Sequence, residues 1–226
     1  KFGKVVIQDN GRMKPASTLA SEFLRKVSER EYYPAVVDGK EIKLTPEQTM
    51  LSMMQFGRLW YEVPLIKLNY KNDSINKVLG VGPDVSYVSS LDFFRDKDGN
   101  FTGFKIAPYL DDANTAETKN VFQKDYLDLY RSLGILDQMI TSEMIKVYPL
   151  PNDDNNKWVS FPEAQTAGFK GVDSVLTSQL LPAYLQTLRY GRDTGDFTKA
   201  DEILATLEKF QRTRGEAVMP SKEKIE

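Results

Sequence analysis

Between Thr115 and Lys146 the apolar residues Phe122, Tyr126, Leu129, Leu133, Leu136, Ile140 and Met144 return at every third or fourth position. That spacing lays one stripe along an α-helix and demands a second element to cover it. A chain built around such a stripe is expected to be helix-rich, and the rest of the sequence follows suit. Leu19, Phe23, Leu24 and Val27 predict a helix opening near Pro15 and fading before Pro34. Thr45-Pro46-Glu47-Gln48 reads as a capping box, with Leu51, Met54 and Phe56 facing inward on the helix behind it. Asn72-Asp73-Ser74 opens a short helix that stops at Gly80. Two more helices are predicted, over 173–192 with a kink or break at Pro182, and over 198–213 with Ala200, Ile203, Leu207 and Phe210 inward.

Extended structure is sparse. Lys4 to Gln8 is a β-branched run closed by Asp9-Asn10-Gly11, residues suited to positive φ. Leu59 to Asn69 reads as an edge strand or connector around Pro64, and Val147 to Pro151 as a short extended piece before the polar loop Asn152–Trp158. The tail from Gly215 is expected to be solvated. The fold class is therefore mainly α with a few short β-strands, a helix-rich α+β arrangement forming one domain over 1–226 that allows two lobes.

Composition narrows the function. The 226 residues are 41% hydrophobic, enough for a real core, and carry 30 basic against 32 acidic residues without a basic stripe. A nucleic-acid partner is disfavoured by that balance. Cysteine and histidine are both absent, which removes the usual nucleophile–base pairs, zinc sites and histidine-ligated haem. No apolar run approaches the roughly 18 residues that a membrane-spanning helix needs.

Each suggestive cluster also has a plain structural explanation. Asp96-Lys97-Asp98-Gly99-Asn100 has its glycine at the wrong place for a calcium loop and reads as a turn. Asp111-Asp112 and Asp153-Asp154 lie in polar loops, where solvation accounts for them. Glu22 is placed to pair with Arg12 or Lys14 across the opening turn. Arg189 to Phe210 has the look of one tetratricopeptide-type hairpin, yet no second copy is found to stack on it. It supports an alternative reading as a helical-hairpin protein-interaction adaptor unrelated to haem. A hydrolase built on paired carboxylates is a further alternative without a supporting motif.

The segments GRMKPASTLASEFLRKV (11–27), LWYEVPLI (59–66), YPLPNDDNNKWVS (148–160) and GDFTKADEILATLEKFQ (195–211), in that order, resemble the extracytoplasmic region of a fused bacterial system II cytochrome c synthase. Members of this cytochrome c biogenesis family are multi-spanning membrane proteins that attach haem to apocytochrome c outside the cytoplasm. The resemblance implies that 1–226 is a single domain cut from such a protein, at the periplasmic face of the cytoplasmic membrane. Its implied partners are apocytochrome c and the membrane-embedded remainder of the synthase. Haem would be handled by the parent, with no cofactor, metal or catalytic residue in this segment, which would be a docking scaffold and not an enzyme. The lack of cysteine then protects apocytochrome thiols from mixed disulfides. The expected partner-binding surface joins the opening turn, with Arg12, Lys14, Pro15, Thr18 and Glu22, to the polar loop, with Asn152, Asp153, Asn155, Asn156 and Trp158.

Overall fold

The computed structural model describes residues 1–69 and 72–225. Helices take up 53% of the chain, and the strands form short antiparallel pairs, so the fold is helix-rich α+β. Two compact units emerge: Lys1–Phe23, Glu31–Gln55 and Gln138–Glu226 make the first, and Leu24–Arg30 with Phe56–Asp137 the second.

The first unit begins with a hairpin of β1 (Val6–Asp9) and β2 (Arg12–Pro15), joined by Asn10 and Gly11 at φ 48° and 76°. Two residues at positive φ make the turn whose twist matches antiparallel strands. Pro15, expected to open the helix, instead ends the return strand. Helix α1 (Ala16–Ser28) follows directly, and its predicted inward residues Leu19, Phe23, Leu24 and Val27 are all buried. A second hairpin pairs β3 (Tyr33–Val37) with β4 (Lys40–Leu44). Helix α2 (Pro46–Trp60) opens on the predicted capping box: Gln48 N–H donates to Thr45 Oγ1 at 3.3 Å, and Thr45 N–H to Gln48 Oε1 at 2.9 Å. Its buried apolar residues are Met50, Met53 and Trp60, one position off the predicted Leu51 and Met54.

The C-terminal part of this unit contains β7 (Tyr148–Pro149) paired with β8 (Trp158–Val159), the short α6 (Phe161–Ala164), α7 (Gly171–Thr194) and α8 (Thr198–Arg214). Helix α7 runs through Pro182 without a break. Ser178, whose carbonyl loses its N–H partner there, is on the exposed side of the helix. Helix α8 packs on α7 and on β7, with Phe210 edge-on to Tyr148 at 6.1 Å. Gly191 permits the close α7–α8 approach, since a Cβ there would lie 2.5 Å from the Phe197 ring. The chain beyond α8 is not simply solvated: Gly215 is buried, and its carbonyl accepts N–H bonds from Val218 and Met219. A last short helix, α9 (Lys222–Ile225), ends the described chain.

The second unit holds β5 (Ile66–Lys67) paired with β6 (Tyr87–Val88), α3 (Asp73–Leu79), α4 (Ala107–Thr115) and most of α5 (Val121–Ile140). Helix α3 ends, as predicted, on Gly80 in the left-handed region at φ 76°. The long predicted helix is shorter at both ends, and Phe122 is 51% exposed, leaving Tyr126, Leu129, Leu136 and Ile140 as its buried stripe. Tyr109 stacks on Tyr126 with ring centroids 4.6 Å apart. Asp96 accepts the N–H groups of Asp98 and Asn100, so the acidic run is a turn.

Candidate functional site

The first unit brings together the two segments that the sequence singles out. Alternation along β1 places Val6 and Gln8 on one face, and the main chain of Gln8 points away from β2. Its N–H donates to Lys146 O at 3.0 Å. The Gln8 side chain then bridges to the polar loop: its Nε2 donates to Asn156 O at 2.9 Å, and its Oε1 accepts the Trp158 N–H at 2.7 Å. Below it, Gln211 of α8 is 1% exposed and donates through Nε2 to Val6 O and Val147 O, both at 2.9 Å. Two buried glutamines therefore clip together β1, β7, the start of β8 and α8.

On the outer side, Lys14 of β2 reaches Asp9 at 2.8 Å and Glu22 of α1 at 2.6 Å. Partial burial works against its charge, but hydrogen bonds and attraction from both carboxylates outweigh it and raise the ammonium pKa. Lys14 is thus committed to holding the hairpin on the helix. Arg12 and Thr18 are exposed and Pro15 half-buried; no ion pair holds Arg12 among the described residues. The opening turn offers solvent one unpaired cation beside a neutralised one.

Local chemistry explains the polar loop. Asp153 Oδ1 accepts the N–H groups of Asn155 and Lys157, both at 3.0 Å, and Asp153 O accepts that of Asn156 at 2.9 Å. Asn152 and Asn156 take φ of 57° and 52°, which asparagine tolerates better than most residues. Asn152, Asn155 and Asn156 remain exposed. Trp158 does not belong to this surface: it is 1% exposed, packed over Gly215, where a Cβ would come within 2.6 Å of its Cζ2. It anchors the loop from beneath. Gln8 and Gln211 were missed from sequence, although both carry a readable signal. Gln8 shares the face of buried Val6, and Gln211 falls four residues after Leu207 on the buried stripe of α8.

The second unit contains a cleft of about 740 Å³ lined by Lys26, Lys67 and Arg131 together with Glu29, Asp125 and Asp128. Asp125 is held by the side-chain amides of Asn69 at 3.1 Å and Asn72 at 2.9 Å. Met50, Met53 and Met139 are fully buried, and burial pushes the Tyr148 and Tyr184 phenols up, away from the phenolate that would ligate iron. The α7–α8 hairpin is present, with α8 packed on β7 and tied to β1 by Gln211.

No protein-family model matches the chain. It is 25% identical over 228 residues to Protein NrfI of Wolinella succinogenes, a match that covers 100% of this chain and 23% of that protein. The chain thus spans about a quarter of the length of the relative it matches. Two expectations are corrected. Placement at the extracytoplasmic face within an integral membrane parent is not borne out: no helix among the described residues is long and apolar enough to cross a membrane, and the likeness runs over the entire chain. The expectation that this segment is not an enzyme is not borne out either, the match running over the whole chain.

Proposed function

We propose that this chain acts in cytochrome c biogenesis and that the opening hairpin, α1 and the 152–157 loop form the surface on which it docks apocytochrome c. The likeness to Protein NrfI over the full chain supports cytochrome c biogenesis at the level of the family. The observation that carries the docking surface is the Gln8 bridge, which makes one rigid patch of two segments about 150 residues apart. Exposed Arg12 and Thr18 and the exposed amides of Asn152, Asn155 and Asn156 supply a polar face suited to the backbone of an unfolded polypeptide. Haem contacts lie outside this segment, since it carries neither of the side chains, His and Cys, that most often bind haem iron.

The test is fluorescence anisotropy with a labelled apocytochrome c peptide that contains a Cys-x-x-Cys-His sequence. Binding should weaken about fivefold in Arg12→Glu, the worth of one exposed charge contact, while the melting temperature stays put. Absence of binding, or binding indifferent to Arg12→Glu and to Asn155→Asp, refutes the surface.

A further inference from the structure

The β3–β4 hairpin turns through Asp38 and Gly39, both at positive φ (51° and 74°). A two-residue loop of this kind makes the flanking Val37 and Lys40 a hydrogen-bonded pair. Alternation then gives the same status to Ala35 with Ile42 and Tyr33 with Leu44, so the main-chain groups of Pro34, Val36, Glu41 and Lys43 point outward. The two edges are not equivalent. Pro34 has no N–H and blunts the β3 edge, as Pro15 does on the outer edge of β2. The β4 edge presents the full N–H and C=O groups of Glu41 and Lys43, which have no intramolecular partner among the described residues. Lys40, Glu41, Ile42 and Lys43 are all exposed, Ile42 to 40%.

Three antiparallel registers of β4 against another β4 bring these outward groups together. One sets Glu41 against Glu41, and another Lys43 against Lys43; like charges directly opposite are unfavourable. The third centres on Ile42. It sets each Glu41 opposite Lys43 of the second copy as a hydrogen-bonded pair, with Ile42 against Ile42 between them as the closer non-hydrogen-bonded pair. We propose that the chain self-associates through this third register, as a two-fold dimer in which β3-β4-β4-β3 form one four-stranded sheet. The edge is self-complementary in charge, in hydrogen bonding and in its central apolar contact. Lys43 is already steadied by the Tyr32 ring, 4.4 Å from its ammonium, on the face where Glu41 of the second copy stands.

Sedimentation equilibrium of the chain tests this. The contact is small, so the dimer is weak, with a dissociation constant on the order of 100 µM. Glu41→Lys and Lys43→Glu each turn two attractive cross-strand pairs into repulsive ones and should weaken dimerisation about tenfold. The double reversal E41K/K43E re-forms both pairs and should recover the original constant to within about twofold. Glu41→Pro removes an outward N–H at a site like that of Pro34 and should abolish the dimer with an unchanged circular-dichroism spectrum. A chain that is monomeric at about 1 mM, a dimer indifferent to the single reversals, or a double reversal that fails to recover overturns the proposal. A monomer that binds an extended peptide at this edge would replace the second copy by a strand from another protein.

Discussion

Replacing Gln211 by methionine is the sharpest test of how the first unit is held together. The side chain keeps its length and apolar stem, so the packing of α8 on β7 is retained while both N–H donors vanish. Val6 O and Val147 O then lose their 2.9 Å partners in a site where Gln211 is 1% exposed. Val6 has no recourse within its own hairpin, because its main chain, like that of Gln8, points away from β2. A buried acceptor left unpaired costs about 1–3 kcal/mol, and removing the buried amide itself returns part of that. The expected loss for the two carbonyls is about 2–4 kcal/mol. With two tryptophans in the chain, a Trp60→Phe background leaves Trp158 of the first unit as the reporter of urea unfolding. Gln211→Asn, one methylene too short to reach both carbonyls, should behave similarly. A shift below about 0.5 kcal/mol at unchanged slope would refute the claim that these bonds hold the strands to the helix.

Gly215→Ala puts a Cβ 2.6 Å from Trp158 Cζ2 and 2.8 Å from Gln211 O, so overpacking should cost about 1–3 kcal/mol and shift the Trp158 emission. Thr45→Ala removes the cap of α2 and should cost about 1 kcal/mol in thermal unfolding. Burial alone pushes the Glu163 carboxyl up, but the Ser160 main-chain N–H and Lys146, 3.3 Å away, outweigh it and hold the carboxyl below its ordinary value. A depressed carboxyl stabilises the fold above its unfolded pKa, near 4.3, and loses that contribution as the pH falls through the folded value. Glu163→Gln should therefore lower the melting temperature at neutral pH and converge on the parent chain in acid; a gap constant across that window would contradict the assignment.

What the sequence determined by itself is the set of features closed within a few residues. Asn10-Gly11 supplies its own turn geometry, Thr45 and Gln48 cap one another across three positions, Gly80 ends α3, and three- or four-residue spacing buries Leu19, Phe23, Leu24 and Val27. Each depends on neighbours in the chain, so each is legible there. Tertiary structure decided the rest. Arg12–Pro15 became a strand because β1 lay beside it, and Trp158 went inward because Gly215 left room for its ring. The bonds that assemble the candidate surface join residues 148, 150 and 205 positions apart. A glutamine in a strand or on a helix stripe declares that a partner is needed, but where the partner lies is set by packing, because the hydrogen bond forms only after distant segments have already been brought together.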